Sequence, residues 1–265
     1  LIMHIAVFGL GEAGSLIAAD LVGSGVSVSS YDPAPVKTPS GVVRFDNPVD
    51  AVKNADVVMG ITAQADAEQA VLQALDAIPT SALYADLSTS SASVKRRLAE
   101  IAGARGIQFV DIALMTIVPG YGLKTPALAS GPGAERYVSI YRPLGVPVEA
   151  ISAVPGEAST RKLLRSVMMK GLASLVIEAM RAGHAAGCAD WLWKNMAEQL
   201  TVANEVMLSR LITGTGTHAL RRLHEMEASM ALLEELGVDP VMTRSTVQSH
   251  KDVLAQGVPA IPTNK

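Results

Sequence analysis

His4-Ile5-Ala6-Val7-Phe8-Gly9-Leu10-Gly11-Glu12-Ala13-Gly14-Ser15-Leu16-Ile17-Ala18-Ala19-Asp20-Leu21 is the stretch whose reading decides the fold. Residues 5–8 are an apolar run with β-branched and aromatic members, and the run stops at a glycine. Leu16, Ile17 and Leu21 then recur at helical spacing. Gly9, Gly11 and Gly14 therefore stand as G-x-G-x-x-G at a strand-to-helix turn, the setting in which that spacing carries weight. The first glycine permits the tight turn, the second lets a pyrophosphate approach the backbone, and the third lets helix and strand pack closely. The free N–H groups at the head of the helix then face the phosphates. Leu10, Glu12 and Ala13 complete the loop that would hold them. A second strand pattern, residues 26–31, ends at Asp32, eighteen residues after Gly14. That is near the roughly 20-residue distance at which an acid meets the ribose hydroxyls. The alternative for these residues is an ordinary glycine turn followed by a turn-forming Asp.

The 265 residues suit two domains on a prior of roughly 100–200 residues each. Hydrophobic content is 49% and aromatics only 4%, so the core must be built from aliphatic side chains. The net charge of −3, with no run of like charges, speaks against nucleic acid as a partner. A single cysteine, Cys188, excludes an internal disulfide and fits a reducing compartment. The chain has no run of eighteen apolar residues, so no membrane span is expected. Leu1-Ile2-Met3-His4 lacks the basic and long apolar segments of a signal peptide, and a cytoplasmic setting is expected.

Strand and helix signals alternate through the first half, which predicts a parallel sheet covered on both faces. Strands are expected at residues 42–45, 55–62, 82–87 and 107–115, with a short edge strand near 127–130 and a last strand-like segment at 146–154. Asn47-Pro48 opens a short helix, residues 66–78 form another, and Ser88 to Ser91 cap a basic helix running to about Ala104. Ligands in such sheets lie outside the carboxyl ends of the strands. That puts Thr62 and Ala63, Ser88 and Thr89, and Met115 and Thr116 on the binding side. For Ser88 and Thr89, plain helix capping is the competing reading. The domain boundary is placed near Pro155-Gly156, giving residues 1–155 and 156–265.

From Glu157 the pattern is helical throughout. Residues up to about 186 predict one long helix, apolar almost all round and therefore buried. Further helices are expected over 191–211, 218–236 and 240–255, with a break at Thr213-Gly214-Thr215-Gly216-Thr217. Lys162, Ser166 and Lys170 recur at four-residue intervals on the long helix, with Arg161 and Arg165 beside them. A lone Lys near a helix start is ordinarily solvated, but a polar stripe on an apolar helix between two domains should face a cavity or a partner. His184 and Cys188 stand four apart without a third ligand, so no metal site is expected.

These pieces together resemble the β-hydroxyacid dehydrogenase superfamily, which includes 3-hydroxyisobutyrate, tartronate-semialdehyde and 6-phosphogluconate dehydrogenases. Gly9-Leu10-Gly11-Glu12-Ala13-Gly14 matches its opening motif, Asp86-Leu87-Ser88-Thr89 its D-x-S-T turn, and Phe109-Val110-Asp111 its F-V-D. Gly156, Lys162-Leu163 and Ser166 fit the start of its interdomain helix. Three positions depart from the family pattern. Met115-Thr116-Ile117 replaces the S-G-G that anchors a substrate carboxylate, Ser166 replaces an Asn, and Ala92 replaces a Pro. The C-terminal half, with His218 to Met226 and Leu236-Gly237-Val238-Asp239-Pro240, resembles a branch with a short C-terminal domain of unknown function.

The resemblance implies a Rossmann-type, doubly wound N-terminal domain followed by an all-α C-terminal domain that dimerises. It implies an NAD(P)-dependent dehydrogenase acting on a small hydroxyacid or carbonyl, with Lys162 as general acid and base. Lys170, with Arg165, would then replace S-G-G as the anion anchor, and Ser166 would orient the ammonium or the substrate. A free Lys has a pKa of roughly 10.4; burial and the neighbouring cations Arg165 and Lys170 would lower it. Asp32 favours NAD over NADP, because a carboxylate repels a 2′-phosphate, while Lys37 and Arg44 could soften that preference. Two rival readings remain: imine reduction, which related branches perform, and a regulator that senses NAD(H) without turnover.

Overall fold

The computed structural model describes residues 2–62 and 67–262. The chain divides into two compact units, Leu1–Arg165 and Ser166–Lys265. The first is a three-layer α/β/α structure. Strands β1 (His4–Phe8), β2 (Ser27–Tyr31), β3 (Val43–Arg44), β4 (Val57–Gly60), β5 (Leu83–Asp86), β6 (Gln108–Leu114), β7 (Ala127–Ser130) and β8 (Val148–Ser152) make one sheet in the order β3-β2-β1-β4-β5-β6-β7-β8. Strands β1 to β6 are parallel; β7 runs antiparallel to β6 and parallel to β8. The order reverses direction at β1, between β2 and β4, and that crevice is where a doubly wound sheet binds ligands.

The period-2 alternation of each strand feeds two separate cores. Ile5, Val7, Val57, Met59, Leu83 and Ala85 face one side with Ile17 and Leu21 of α1 (Glu12–Gly23) and Tyr137 and Tyr141 of α5 (Ala134–Tyr141). Ala6, Phe8, Val58, Tyr84 and Phe109 face the other side. There they meet α2 (Pro48–Val52), α3 (Ala67–Ala74) and α4 (Ala92–Gly103) through Ala51, Val52, Ala74, Leu98 and Ala102. Asn47 caps α2, accepting the Asp50 N–H at 2.9 Å, and Pro48 is its first residue.

The second unit is all helical: the rest of α6 (Glu157–Ala185), then α7 (Ala189–Thr201), α8 (Glu205–Thr217), α9 (Ala219–Glu235) and α10 (Val241–Gln256). The division into compact units falls inside α6, whose first turn is hydrogen-bonded to the sheet. Two local expectations are corrected. The helix predicted over 191–211 is two helices, parted at residues 202–204, where Asn204 caps α8 by accepting the Met207 N–H at 3.0 Å. The Thr-Gly stretch does not break the chain but ends α8. Its Thr213, Thr215 and Thr217 hydroxyls donate to the Ser209, Leu211 and Thr213 carbonyls one turn back, so they do not compete for other backbone partners. Nor is α6 buried all round within this chain: Leu164, Val167 and Met168 are exposed.

Glu178 of α6 is buried and serves as the N-terminal cap of α10. Its carboxylate accepts the backbone N–H of Met242 at 2.6 Å and of Thr243 at 2.8 Å, and the Thr243 hydroxyl at 2.7 Å. Among the described residues, no helix is long and apolar enough to cross a membrane.

Candidate active site

The site is built where β1, β4, β5 and β6 end. Gly9 has φ +93°, and a Cβ there would lie 2.5 Å from the Ile61 carbonyl oxygen, so the turn accepts no side chain. A Cβ on Gly14 would stand 2.9 Å from the carbonyl carbon of Gly9 and closer still to its oxygen. Gly11 differs: nothing lies within 4 Å of the position its Cβ would take, so the loop is open there. Leu10, by contrast, is buried, and its N–H donates to Asp32 Oδ2 at 2.6 Å.

Two cavities meet at this loop. One, of about 380 Å³, is lined by Gly9, Gly11, Tyr31, Asp32, Ile61 and Thr62. Asp32 is held there by two backbone donors, Leu10 N–H and Ala34 N–H at 2.8 Å. Arg44 does not reach over this cavity as a spare cation. Its guanidinium donates to the carbonyls of Asp32 at 2.7 Å, Ala34 at 2.5 Å and Val36 at 2.6 Å, riveting the segment that follows β2. The other cavity, of about 410 Å³, is lined by the glycine loop with Glu12 and Ala13, by Thr62, Ser88, Thr89 and Thr116, by Leu114 and Ile117, and by Lys162.

Thr62 borders both cavities, and its hydroxyl is buried with no hydrogen-bond partner among the described residues. An unsatisfied buried hydroxyl is costly unless a ligand or water completes it. With the open face at Gly11 and the carboxylate at Asp32, it makes the residues present fit a dinucleotide.

Lys162, half-buried on the first turns of α6, donates to Thr89 Oγ1 at 3.1 Å. Ser88 is buried, bonded to Asp86 and Ser90, while Ser91 is the residue that caps α4, at Val94 N–H. The cluster is thus divided in its work, with Ser91 capping and Thr89 facing Lys162. Arg165 donates to the Met115 carbonyl and so ties α6 to the segment after β6. Met115 itself does not line the cavity. Ser166 and Lys170 lie on α6 in the second compact unit and are not lining residues. Ala63 lies outside the described residues.

Sequence reasoning missed one feature beside the site. Lys95, read only as part of a basic helix, is fully buried between Asp86 and Asp111, with Nζ–O distances of 2.6 Å and 3.1 Å. A signal did exist: Lys95 shares the buried stripe of α4 with Leu98 and Ala102. Among the described residues no group of His, Cys, Asp and Glu could hold a metal ion.

Residues 4–115 match the NAD-binding domain of 6-phosphogluconate dehydrogenase, and residues 183–253 match a domain of unknown function, DUF1932. The chain thus carries an NAD-binding Rossmann domain followed by a helical C-terminal domain. It is 31% identical over 149 residues to a probable 3-hydroxyisobutyrate dehydrogenase of Mycobacterium bovis, a match spanning 54% of this chain and 50% of that protein. An uncharacterized 28.5 kDa protein of Methanothermus fervidus is 24% identical over 261 residues, 95% of this chain and 99% of that one. In fold, the chain resembles an imine reductase variant from Myxococcus stipitatus in complex with NAD+. The TM-score is 0.80 at 18% identity, over 97% of this chain and 96% of that one.

Proposed function

We propose that this chain is an NAD-dependent dehydrogenase or reductase that transfers a hydride between the nicotinamide and a small hydroxyacid or carbonyl substrate, with Lys162 as general acid and base. The observation that carries the reading is that Lys162, oriented by Thr89, lines the same cavity as the glycine loop. When bound, the cofactor supplies or accepts the hydride. The N–H groups at the head of α1 receive the pyrophosphate, and Gly11 leaves room for it. The Thr62 hydroxyl offers a donor at the junction of the two cavities, and Asp32 accepts the ribose hydroxyls.

Lys162 donates a proton to the reacting oxygen in reduction and takes it back in oxidation, with Thr89 holding the ammonium in line. Positioned acid–base help of this kind contributes about 10²–10⁴-fold. Lys162→Met should therefore keep NADH affinity while turnover falls by about that factor. An unchanged kcat would defeat the assignment.

A second reading, imine reduction, is favoured by one observation. Where the family pattern that the sequence resembles has S-G-G, this chain has Met115-Thr116-Ile117, and Arg165 is engaged on the Met115 carbonyl. Steady-state assays of 3-hydroxyisobutyrate with NAD against 2-methyl-1-pyrroline with NADH separate the two.

The working form we propose is a homodimer through the C-terminal helices, in the cytoplasm. The reading is supported by large apolar side chains left uncovered on three of those helices: Val167, Trp191 and Val206, on α6, α7 and α8, are 73%, 64% and 67% exposed. A monomeric mass by light scattering at micromolar concentration would remove that part of the reading.

A further inference from the structure

We propose that Lys95 is a positioning residue for the reaction: its buried ammonium, bridging Asp86 and Asp111, sets where Lys162 stands. The inference rests on the role proposed for Lys162, but it concerns a side chain that does not line the cavity.

All three charged residues are 0% exposed. The ammonium has three N–H donors, and it has three acceptors: Asp86 Oδ2 at 2.6 Å, Asp111 Oδ1 at 3.1 Å and the Asp86 carbonyl at 3.0 Å. Stability alone is a poor account of such a cluster, since well-packed apolar residues commonly do as well in place of a buried ion pair. What the cluster does supply is geometry, through two arms that meet at one nitrogen.

The first arm runs to the turn after β5. Asp86 Oδ2 accepts the Ser88 hydroxyl at 2.8 Å, and the Ser88 and Ser90 hydroxyls are 2.9 Å apart. This fixes the turn that presents Thr89 to Lys162. The second arm runs to the head of α6. Asp111 accepts the Ser159 backbone N–H at 2.9 Å and its hydroxyl at 2.7 Å. Ser130 donates to the same carboxylate at 3.2 Å and accepts the Ala158 N–H at 2.9 Å. These backbone groups are first-turn donors with no partner inside the helix, so Asp111 caps α6 from the sheet.

Lys162 follows Ser159 by three residues, about one turn, so the cap sets the height of its backbone. A contact at the head of α4 completes the frame: a Cβ on Gly156 would lie 2.7 Å from the Ala92 Cα, three residues before Lys95. Helix α4 thus carries the ammonium and also buttresses the entry to α6. One charge sets the spacing between the turn that orients Lys162 and the helix that bears it.

The experiment compares wild type, Lys95→Met, Ser159→Ala and Lys162→Met in the full chain. Lysine ammonium groups are labelled by reductive ¹³C-methylation, and the Lys162 resonance is assigned by its loss in Lys162→Met. Its chemical shift and titration midpoint are then followed in the other variants without cofactor, alongside kcat, KM for NADH and melting temperature. The expected result is a displaced Lys162 resonance in both Lys95→Met and Ser159→Ala. Turnover should fall by about 10²-fold in Lys95→Met, the cost of an ångström-scale misplacement, with KM for NADH unchanged. Ser159→Ala should lose several-fold in the same parameter.

If Lys95→Met does not fold, Ser159→Ala decides, since it keeps both ion pairs and the backbone donor to Asp111. A Lys162 resonance and kcat equal to wild type in the folded variants, whatever happens to melting temperature, would overturn the proposal. The resonance is read without turnover, so it decides the placement even if Lys162→Met turns over normally. That last outcome would defeat only the role proposed for Lys162.

Discussion

Alanine at Gly14 and alanine at Gly11 should separate folding from binding. At Gly14 the new methyl group would lie 2.9 Å from the Gly9 carbonyl carbon and nearer to its oxygen, both fixed parts of the main chain. No side chain can yield there, so α1 must lift off the end of β1. Overpacking of this kind costs about 1–3 kcal/mol. For a unit of this size that is a fall in melting temperature of about 2–4 °C per kcal/mol, or roughly 2–12 °C.

At Gly11 nothing lies within 4 Å of the added methyl, and the backbone angles, φ −62° and ψ −167°, are ones that alanine adopts. Stability should be unchanged or slightly higher, by up to about 1 kcal/mol. On the proposed reading, the methyl instead occupies the space through which a pyrophosphate would reach the loop. Loss of one hydrogen bond to a charged group is worth about 1.5–3 kcal/mol, so NADH affinity should weaken by about 10- to 10²-fold. Differential scanning fluorimetry and titration of NADH fluorescence measure the two effects. A Gly11→Ala variant that binds NADH as tightly as wild type would refute the assignment of this loop. A Gly14→Ala variant with wild-type stability would refute the packing argument.

Two further outcomes are expected. Asp32→Asn should narrow the preference for NADH over NADPH by about tenfold, the scale of one close like-charge repulsion at partial solvent exposure; the ratio of the two kcat/KM values measures it. Arg44 should not add to NADPH binding in that variant, because its guanidinium is spent on the carbonyls of Asp32, Ala34 and Val36. Glu178→Gln should lower stability by about 1–3 kcal/mol. Burial pushes the Glu178 carboxyl up, but the Thr243 hydroxyl, the Met242 and Thr243 N–H groups and Arg244 together hold it below the usual range. Its stabilising effect is therefore present above the unfolded-state value, near 4.5, and is lost as pH falls through the lower folded-state value. Urea denaturation between pH 7 and pH 3 should show a steeper acid loss in wild type than in Glu178→Gln, and parallel profiles would count against this account.

Short-range spacing alone determined the glycine loop, the strand-to-helix alternation and the acid at the end of β2. Each is set by a period of two or 3.6 residues, or by steric limits on a single turn, and these act between neighbours in the chain. The break between α7 and α8 went the other way even locally. Asn204 found a backbone donor three residues on, while Thr213, Thr215 and Thr217 bonded to their own helix, which propensity does not register. What tertiary structure alone decided joins residues far apart in the chain: Lys162 to Thr89, Arg165 to the Met115 carbonyl, Glu178 to Thr243, and Ser159 to Asp111. Asp86, Lys95 and Asp111 are ordinary charged residues in isolation. Their burial together follows from paired positions on adjacent strands and a covering helix, because a charge removed from water is tolerated only where the fold brings its counter-charges within hydrogen-bonding reach.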